Sequence, residues 1–574
     1  MEELSQAFKA LGVLSPSGNT LSEPFPVNMM FEQKILGLWD RMFVQHSSLL
    51  AIKSPSLTPA AVFDASGHRK RFVDYVVRDT VTKEIFRADH YLRDWLSSHA
   101  GKGDTEGMGL EELSQAFKAL GVLSPSGNTL SEPFPVNMMF STALGPIEGA
   151  AAFLRPETAQ AQFLNFKRLL ECNNGKMPFG SASVGSAFRN EISPRSGLLR
   201  VREFTMAEIE YFADPLDSTH AEIDTVHAVV LPLLAAERQG TAGQCEKVAV
   251  KDAVEKGLFQ NGIQPYFLAR AFLFLERLGI DMERVRVRQH LPTERAHYST
   301  DCWDIEISTS HGWTECVGVS DRGTYDLDCH NRAANTRLTV TVPIKPVKEK
   351  KLFLDIDKKL FGKHFRGESQ ELAQHLNTLD TEELGCVKKE LEEKGEATVL
   401  TGGKEHTVPG EMLGVTLKEV TVCSRTYTPR VIEPSFGIGR ILYCLLEHSF
   451  WSREEDENRV VFSFLPHIAP VQAAVVQLGA SESAQREIVV KIKNILAERG
   501  IVCETDFSTA SIGRKYSRFD EMGIPVVFTV DYDSPKNNSV TVRYRDTKEQ
   551  KTIQDWQRVG LEVGDLLLSG HALR

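Results

Sequence analysis

Three short segments carry groups suited to phosphate chemistry. The first is Phe188-Arg189-Asn190-Glu191, read as strand, where Arg189 and Glu191 share a face. A loop with Pro194 and Gly197 follows, then Arg200-Val201-Arg202-Glu203-Phe204-Thr205-Met206-Ala207-Glu208. Strand parity sets Arg200, Arg202 and Glu208 on one face and Val201, Ile209 and Tyr211 on the other. The pair reads as a hairpin with a charged face and a packing face. Alone, such a charged face is ordinarily just solvated. The third segment is Glu433-Pro434-Ser435-Phe436-Gly437-Ile438-Gly439-Arg440, a strand passing through glycines into a helix. An Arg at that helix start can brace a phosphate, aided by the positive end of the helix. Taken singly, the same segment is also a glycine-rich turn with a surface Arg.

The elements that must position these groups can be read coarsely. Residues 142–215 alternate apolar and polar positions between turn signals, as antiparallel strands do. Residues 246–280 read as helix and 285–342 as strands. Helical spacing begins at Lys34, and Thr58-Pro59 interrupts a strand-like stretch. A lysine-rich polar stretch over 345–403 reads as an insertion. A glycine-punctuated helix runs from about Ile438 to His448, and the run Arg453-Glu454-Glu455-Asp456-Glu457 reads as a solvated boundary. The tail alternates strands (Ala474–Leu478, Val526–Val530, Val540–Tyr544) with a helix over Ser481–Arg499, which predicts a separate α/β domain.

A perfect repeat stands out. Glu2–Phe31 and Glu111–Phe140 are identical. Solenoid repeats recur many times and drift, so one exact copy reads instead as a recent duplication or a faulty gene model. The second copy lies in continuous context, so the first is the suspect, and residues 1–31 are expected to pack poorly.

At 574 residues the chain should hold two to four domains. No 18-residue apolar run is present, and Met1-Glu2-Glu3 has neither the basic-apolar layout of a signal peptide nor an Arg-rich transit pattern. Nine scattered Cys without a CxxC support neither a zinc ribbon nor a disulfide framework. A reducing, cytoplasmic setting fits, with a mitochondrial form as the alternative. Cys329-His330 reads as packing, not as a metal pair. The net charge of −11 does not itself suggest nucleic acid, although the tail from Asn458 holds 15 Lys+Arg against 14 Asp+Glu.

Together the three segments resemble the signature motifs of class II aminoacyl-tRNA synthetases, and specifically the eukaryotic and archaeal glycyl-tRNA synthetase family. The likeness also runs through Leu154-Arg155-Pro156-Glu157-Thr158-Ala159-Gln160, Arg288-Gln289-His290, Ala296-His297-Tyr298, Cys302-Trp303-Asp304, Ser66-Gly67-His68 and Phe86-Arg87-Ala88-Asp89-His90. It covers roughly residue 32 to the end. It implies an α+β fold: an antiparallel-sheet catalytic domain with helices over 32–457, then an α/β anticodon-binding domain over 458–574.

The resemblance implies glycine activation by ATP and transfer of the glycyl group to the 3′ end of its tRNA. Arg189 would hold the α-phosphate and substrate carboxylate, with Asn190 beside it. Glu191 is similar to the residue that meets the adenine amino group, and Arg200 and Val201 match the segment lining the nucleotide. Arg440 would brace the far phosphates. Glu315, with Cys316, matches an ATP-site position where a carboxylate can hold Mg²⁺; the family often has Ile where Cys316 stands. Glu157, Glu208 and Glu433 match the acidic residues of the glycine pocket, with Pro434 and Ser435 completing it. Because no amino acid is smaller than glycine, steric exclusion suffices and no editing domain is implied. In the tail, Ser511-Ile512-Gly513-Arg514-Lys515-Tyr516 and Arg518 combine basic and aromatic groups, as single-stranded RNA recognition favours. A homodimer is implied, with the helix near Lys34 and Pro59 resembling the dimer motif.

The sequence departs from the family ahead of Lys34. A glycine-rich stretch ending like YDYGPLG is missing, and the first copy of the repeat stands in its place. The rival readings are a non-catalytic accessory or nucleic-acid-binding protein on the same fold, or the inactive product of a damaged gene model. Intact Arg189, Glu191, Glu315 and Arg440 argue for the enzyme.

Overall fold

The computed structural model describes residues 26–569, except 48, 100–104, 106, 147–148, 193, 195–196, 218, 240–242, 402 and 480–482. The chain divides into two compact units, one of 1–338 with 428–574 and one of 339–427.

The first unit is organised by a nine-stranded sheet. Its strands are β1 (Leu50–Ala51), β2 (Phe179–Phe188), β3 (Glu203–Ala213), β4 (Val230–Leu234), β5 (Glu246–Ala249), β6 (Val285–Gln289), β7 (Asp301–Thr309), β8 (Gly312–Gly323) and β9 (Arg430–Gly437). They lie in the order β1-β2-β3-β9-β8-β7-β6-β4-β5. All neighbours run antiparallel except β1 with β2 and β4 with β6.

Alternation along these strands gives the sheet two unlike faces. Ala182, Ala207, Phe436, Val317, Ile305 and Val287 point to one face and join one buried cluster. The helices that cover it are α1 (Pro26–Trp39), α2 (Gln264–Leu278) and α4 (Ile438–Ser449). α2 is buried along most of its length and starts with Pro at its first turn, where the missing N–H costs nothing. The opposite face carries a polar row of cross-strand neighbours, Ser183, Glu208, Ser435, Gly318, Asp304 and Arg288. Helix α3 (Tyr325–Ala334) follows β8 directly. It interrupts the stretch read as strands over 285–342, and β5 likewise opens the stretch read as helix over 246–280.

Residues 1–25 of the duplicated segment lie outside the described residues. The expectation of poor packing therefore falls mostly outside them; at the end of that copy Phe31 is fully buried, with its ring 4.7 Å from that of Phe464. The same six residues, Pro-Val-Asn-Met-Met-Phe, open helix α1 in the first copy. In the second they begin within the strand Phe134–Asn137, which pairs with Val73–Arg78. Neighbours decide between the two. The first copy runs on into Glu-Gln-Lys-Ile-Leu and buries Ile35 and Leu38, while the second meets an open strand edge.

The C-terminal part forms a second, five-stranded sheet from β10 (Ala473–Gln477), β11 (Cys503–Asp506), β12 (Val526–Val530), β13 (Val540–Tyr544) and β14 (Gln550–Ile553). Helices α5 (Ser483–Glu498), α6 (Ile512–Glu521) and α7 (Val559–Ser569) accompany it. The run read as a solvated boundary begins with a buried side chain. Arg453 is 4% exposed and donates to Asp520 Oδ2 at 2.7 Å and to the Arg545 carbonyl at 2.8 Å.

The second unit consists of a long antiparallel ribbon, Val340–Ile356 with Leu413–Tyr427, and helices and a hairpin around its own core of Phe361, Leu372, Val387 and Val399. It is wider than the 345–403 stretch, because the ribbon's strands alternate with exposed charges and lack a continuous apolar face.

Candidate functional site

The polar row of the sheet is the floor of the site. Glu208 comes from β3 and Glu433 from β9, while Glu157 lies just ahead of a short helix, Ala159–Leu164. All three are at most 6% exposed. Glu208 accepts from the Thr158 N–H and hydroxyl, both at 2.5 Å, and from Ser435 Oγ at 3.1 Å. Glu157 accepts from Gln160 Nε2 at 3.0 Å and lies 3.4 Å from His68 Nε2. Pro434 sits between Glu433 and Ser435, so its side chain turns to the opposite face of β9 and the structure does not bring it into the row.

One residue that sequence reasoning missed organises this cluster. Arg322 is fully buried. Its Nη1 donates to Glu433 at 2.8 Å, its Nη2 to Glu157 at 3.3 Å, and its Nε to Asp326 at 2.7 Å. The guanidinium lies 3.7 Å from the centroid of the Tyr298 ring. Arg322 is the extra residue of a bulge between β8 and β9, where Asp321 faces Ile432 and Gly323 faces Val431. The available signal is a charged pair at i,i+4, Arg322 and Asp326, spanning the end of β8 and the start of α3.

The charges are unequal. Burial, with Glu208 and Glu157 close by, pushes Glu433 up to about 8 despite Arg322. Burial and Glu157 also raise Glu208. Burial works against the charge on Glu157 as well, but His68 and Arg322 hold it well below the ordinary carboxylate value. The cluster therefore keeps one fixed anion, Glu157, beside a carboxyl, Glu433, that can ionise when a cation enters.

Beside the floor opens a cleft bordered by Arg189, Glu191, Arg200, Val201, Glu315 and Arg440. Arg189 is held face-on between Phe72 and Phe204, 5.5 and 5.4 Å from their centroids. It lies just past the end of β2, and β3 begins only at Glu203, so Arg200 and Arg202 precede the strand whose parity would place them. Asn190 does not border this cleft; its N–H donates to the Met138 carbonyl at 2.7 Å. Arg440 stands in the first turn of α4, with Nη1 donating to the Glu315 carbonyl at 2.9 Å and lying 3.7 Å from Glu315 Oε2.

A second bulge sets Glu315. Ile305 faces Val317, whereas Glu306 faces Glu315, so Cys316 is the extra residue. Strict alternation from Val317 would turn Glu315 into the core. The bulge instead directs it to the site face and turns Cys316 inward, where its sulfur lies 3.6 Å from that of Cys444. Cys316 therefore borders the cleft while its sulfur belongs to the core.

Glu315 is half exposed, and against the upward push of burial Arg440, His290 and Arg189 keep its carboxyl below the ordinary value. Such an ionised hard-oxygen group at an arginine-bordered cleft fits Mg²⁺, which takes one or two carboxylates together with substrate phosphates. Nearby, His290, Cys302 and Asp304 offer ligand atoms within 4.8 Å of one another. His290 Nε2 and Asp304 Oδ2 are already bonded to each other at 2.5 Å. Cys329 and His330 are both buried on α3, and His330 bonds Gln160 at 2.9 Å.

In the tail, Lys515 turns away from solvent, with its Nζ donating to the Gln477 carbonyl at 3.0 Å; Arg514 and Arg518 of the same helix are exposed.

Comparison with known proteins bears on this geometry. An anticodon binding domain family matches residues 472–557. A putative glycine–tRNA ligase of Schizosaccharomyces pombe is 40% identical over 582 residues, covering 92% of this chain and 89% of that protein. The glycine–tRNA ligase of Methanocaldococcus jannaschii is 38% identical, covering 92% and 91%. That of Bombyx mori is 40% identical, covering 92% and 74%. Among solved structures, Giardia lamblia prolyl-tRNA synthetase in complex with prolyl-adenylate aligns with a TM-score of 0.51 at 11% identity, covering 99% of this chain and 79% of that one. This likeness speaks for the fold alone.

Proposed function

Because the chain belongs to the glycine–tRNA ligase family, we propose that its cleft binds ATP, that its three-glutamate floor binds glycine, and that the two react to glycyl-adenylate before transfer to tRNA. The observation that carries this reading is the adjacency of two unlike sites. A buried cluster of Glu157, Glu208 and Glu433 adjoins, through Ser435, an open cleft bordered by Arg189, Arg200 and Arg440.

Glycine offers only an ammonium and a carboxylate. The glutamates receive the ammonium, and Arg322 prevents their mutual repulsion from emptying the pocket. The close packing of Arg322 against Tyr298 and the glutamates supports exclusion of a side chain on the substrate α-carbon. Arg189, held rigid by Phe72 and Phe204, faces the junction of pocket and cleft. There it orients the glycine carboxylate against the α-phosphate and stabilises the charge gained at phosphorus. Glu191, with Asn190 beside it, and Arg200 with Val201 hold the nucleoside end, and Arg440 braces the distal phosphates. Mg²⁺, when bound, neutralises phosphate charge, and Glu315 is the group that would hold it. No enzyme nucleophile is required.

The C-terminal α/β part serves the anticodon end of the tRNA, with Arg514 and Arg518 as exposed cations. The active species is a homodimer with isologous contacts, working in the cytoplasm. No helix among the described residues is long and apolar enough to cross a membrane. Glycine-dependent exchange of pyrophosphate into ATP tests the adenylate step, and a complete absence of exchange would favour the non-catalytic reading.

A further inference from the structure

Two cysteines have no part in the chemistry described so far. Cys316 Sγ and Cys444 Sγ lie 3.6 Å apart, and both side chains are buried. Cys316 is the bulge residue that directs Glu315 into the cleft. Cys444 stands on α4 one helical turn beyond Arg440, and Arg440 itself donates to the Glu315 carbonyl. The two sulfurs thus join the strand carrying Glu315 to the helix carrying Arg440. Cys316 is 3% exposed and borders the nucleotide cleft with its sulfur turned into the core, so an oxidant as small as peroxide reaches that sulfur only when the bulge opens locally.

We propose that Cys316 and Cys444 form an oxidation site, which hydrogen peroxide converts to an intrachain disulfide that weakens nucleotide binding. Peroxide first oxidises the Cys316 thiol to a sulfenic acid, releasing one water. The Cys444 sulfur then attacks that sulfur, its thiol proton leaves with the displaced hydroxyl as a second water, and the S–S bond forms. Two thiols and one peroxide give one disulfide and two waters. Burial pushes the Cys316 thiol up, so the first step is slow and needs peroxide in excess.

A disulfide holds its sulfurs about 2.05 Å apart, so closure draws the bulge and α4 together. The displacement falls on the residues next to Glu315 and one turn from Arg440. That consequence rests on the nucleotide role proposed for this cleft, whereas the bond itself does not.

The test treats the full-length chain with excess peroxide, with and without MgATP, then maps peptides by mass spectrometry without reduction and measures pyrophosphate exchange. The expected result is a linked Cys316–Cys444 peptide pair. The KM for ATP should rise by about tenfold, a loss of about 1.4 kcal/mol of binding. Dithiothreitol should restore it, and MgATP should slow the linkage. Cys444→Ala, and Cys444→Val which refills the volume, should keep their ATP KM through the same treatment even though the exposed Cys172, Cys245, Cys386 and Cys423 remain. The proposal is overturned by the absence of the linked pair, by a linked pair with unchanged ATP KM, or by Cys444 variants as sensitive as the parent. A mapped bond in a chain with no ATP dependence before oxidation would overturn the proposed nucleotide effect and the reading of the cleft, not the bond.

Discussion

Arg322 Nη1 donates to Glu433 Oε2 at 2.8 Å, with the arginine fully buried and the glutamate 5% exposed. The same guanidinium serves Glu157 and Asp326, so a single cation offsets three carboxyl groups beneath the proposed glycine pocket. Removing one partner of a buried ion cluster leaves the others unpaired, which costs about 3–5 kcal/mol. Arg322→Met should therefore lower the melting temperature clearly and raise the KM for glycine. Arg322→Lys should recover little, because an ammonium cannot reproduce the fork. Thermal unfolding of the two variants checks this, and a melting temperature equal to the parent's would show that the cluster does not depend on Arg322.

Glu433 gives a pH dependence with a definite sign. Its folded value is raised to about 8 from the ordinary value of 4.5. The stability it contributes is thus fully present below about 4.5, declines as pH rises, and is lost by about 8. Glu433→Gln should remove that slope between the two values, measured by denaturant unfolding across the range. The substrate ammonium favours the ionised form, so the glycine KM should fall as pH rises from about 6.5 to about 8.5 in the parent and stay flat in the variant. An identical profile in both would exclude Glu433 as the titrating group.

Arg440 is expected to act on phosphates and not on glycine. Arg440→Ala should cut pyrophosphate exchange by roughly 10²–10³-fold, the scale of losing one fixed charge-stabilising group, and the glycine KM should change little. Steady-state kinetics with each substrate varied separates the two effects. A variant that mainly raised the glycine KM would move Arg440 out of the nucleotide site.

Unit 339–427 can be excised with little disturbance, because Val340 and Tyr427 are cross-strand partners and a short turn can join the chain there. Its exposed Lys345, Lys348, Lys350 and Lys351 motivate contact with the tRNA acceptor arm. The excised protein should keep its adenylate activity and show a raised KM for tRNA. Equal loss of both activities would sink this assignment.

How far the site is legible in the sequence depends on backbone regularity. Glu208 and Ser435 share the polar face because β3 and β9 alternate cleanly, a pattern that parity captures. Arg189 and Glu191 lie past the end of β2, and only resemblance singles them out. Parity breaks at the bulges holding Cys316 and Arg322, where one extra residue reverses which side chains face the cleft. No local pattern marks such a bulge, so sequence reasoning passes over Arg322 and assigns Cys316 to the nucleotide. Burial of long charged side chains is hidden for a related reason. Arg453 and Lys515 look solvated in sequence, yet each fills its donors inside the protein, Arg453 with Asp520 and Lys515 with backbone carbonyls. The helix begun by Pro26–Phe31 is equally hidden, since the identical residues enter a strand about a hundred positions later.

The most direct test of the central claim is pyrophosphate exchange into ATP by the full-length chain, with glycine, alanine or serine as the amino acid. A working three-glutamate floor beside an arginine-walled cleft predicts exchange with glycine and none above background with alanine or serine. Exchange with alanine or serine, or none with glycine, would contradict the account.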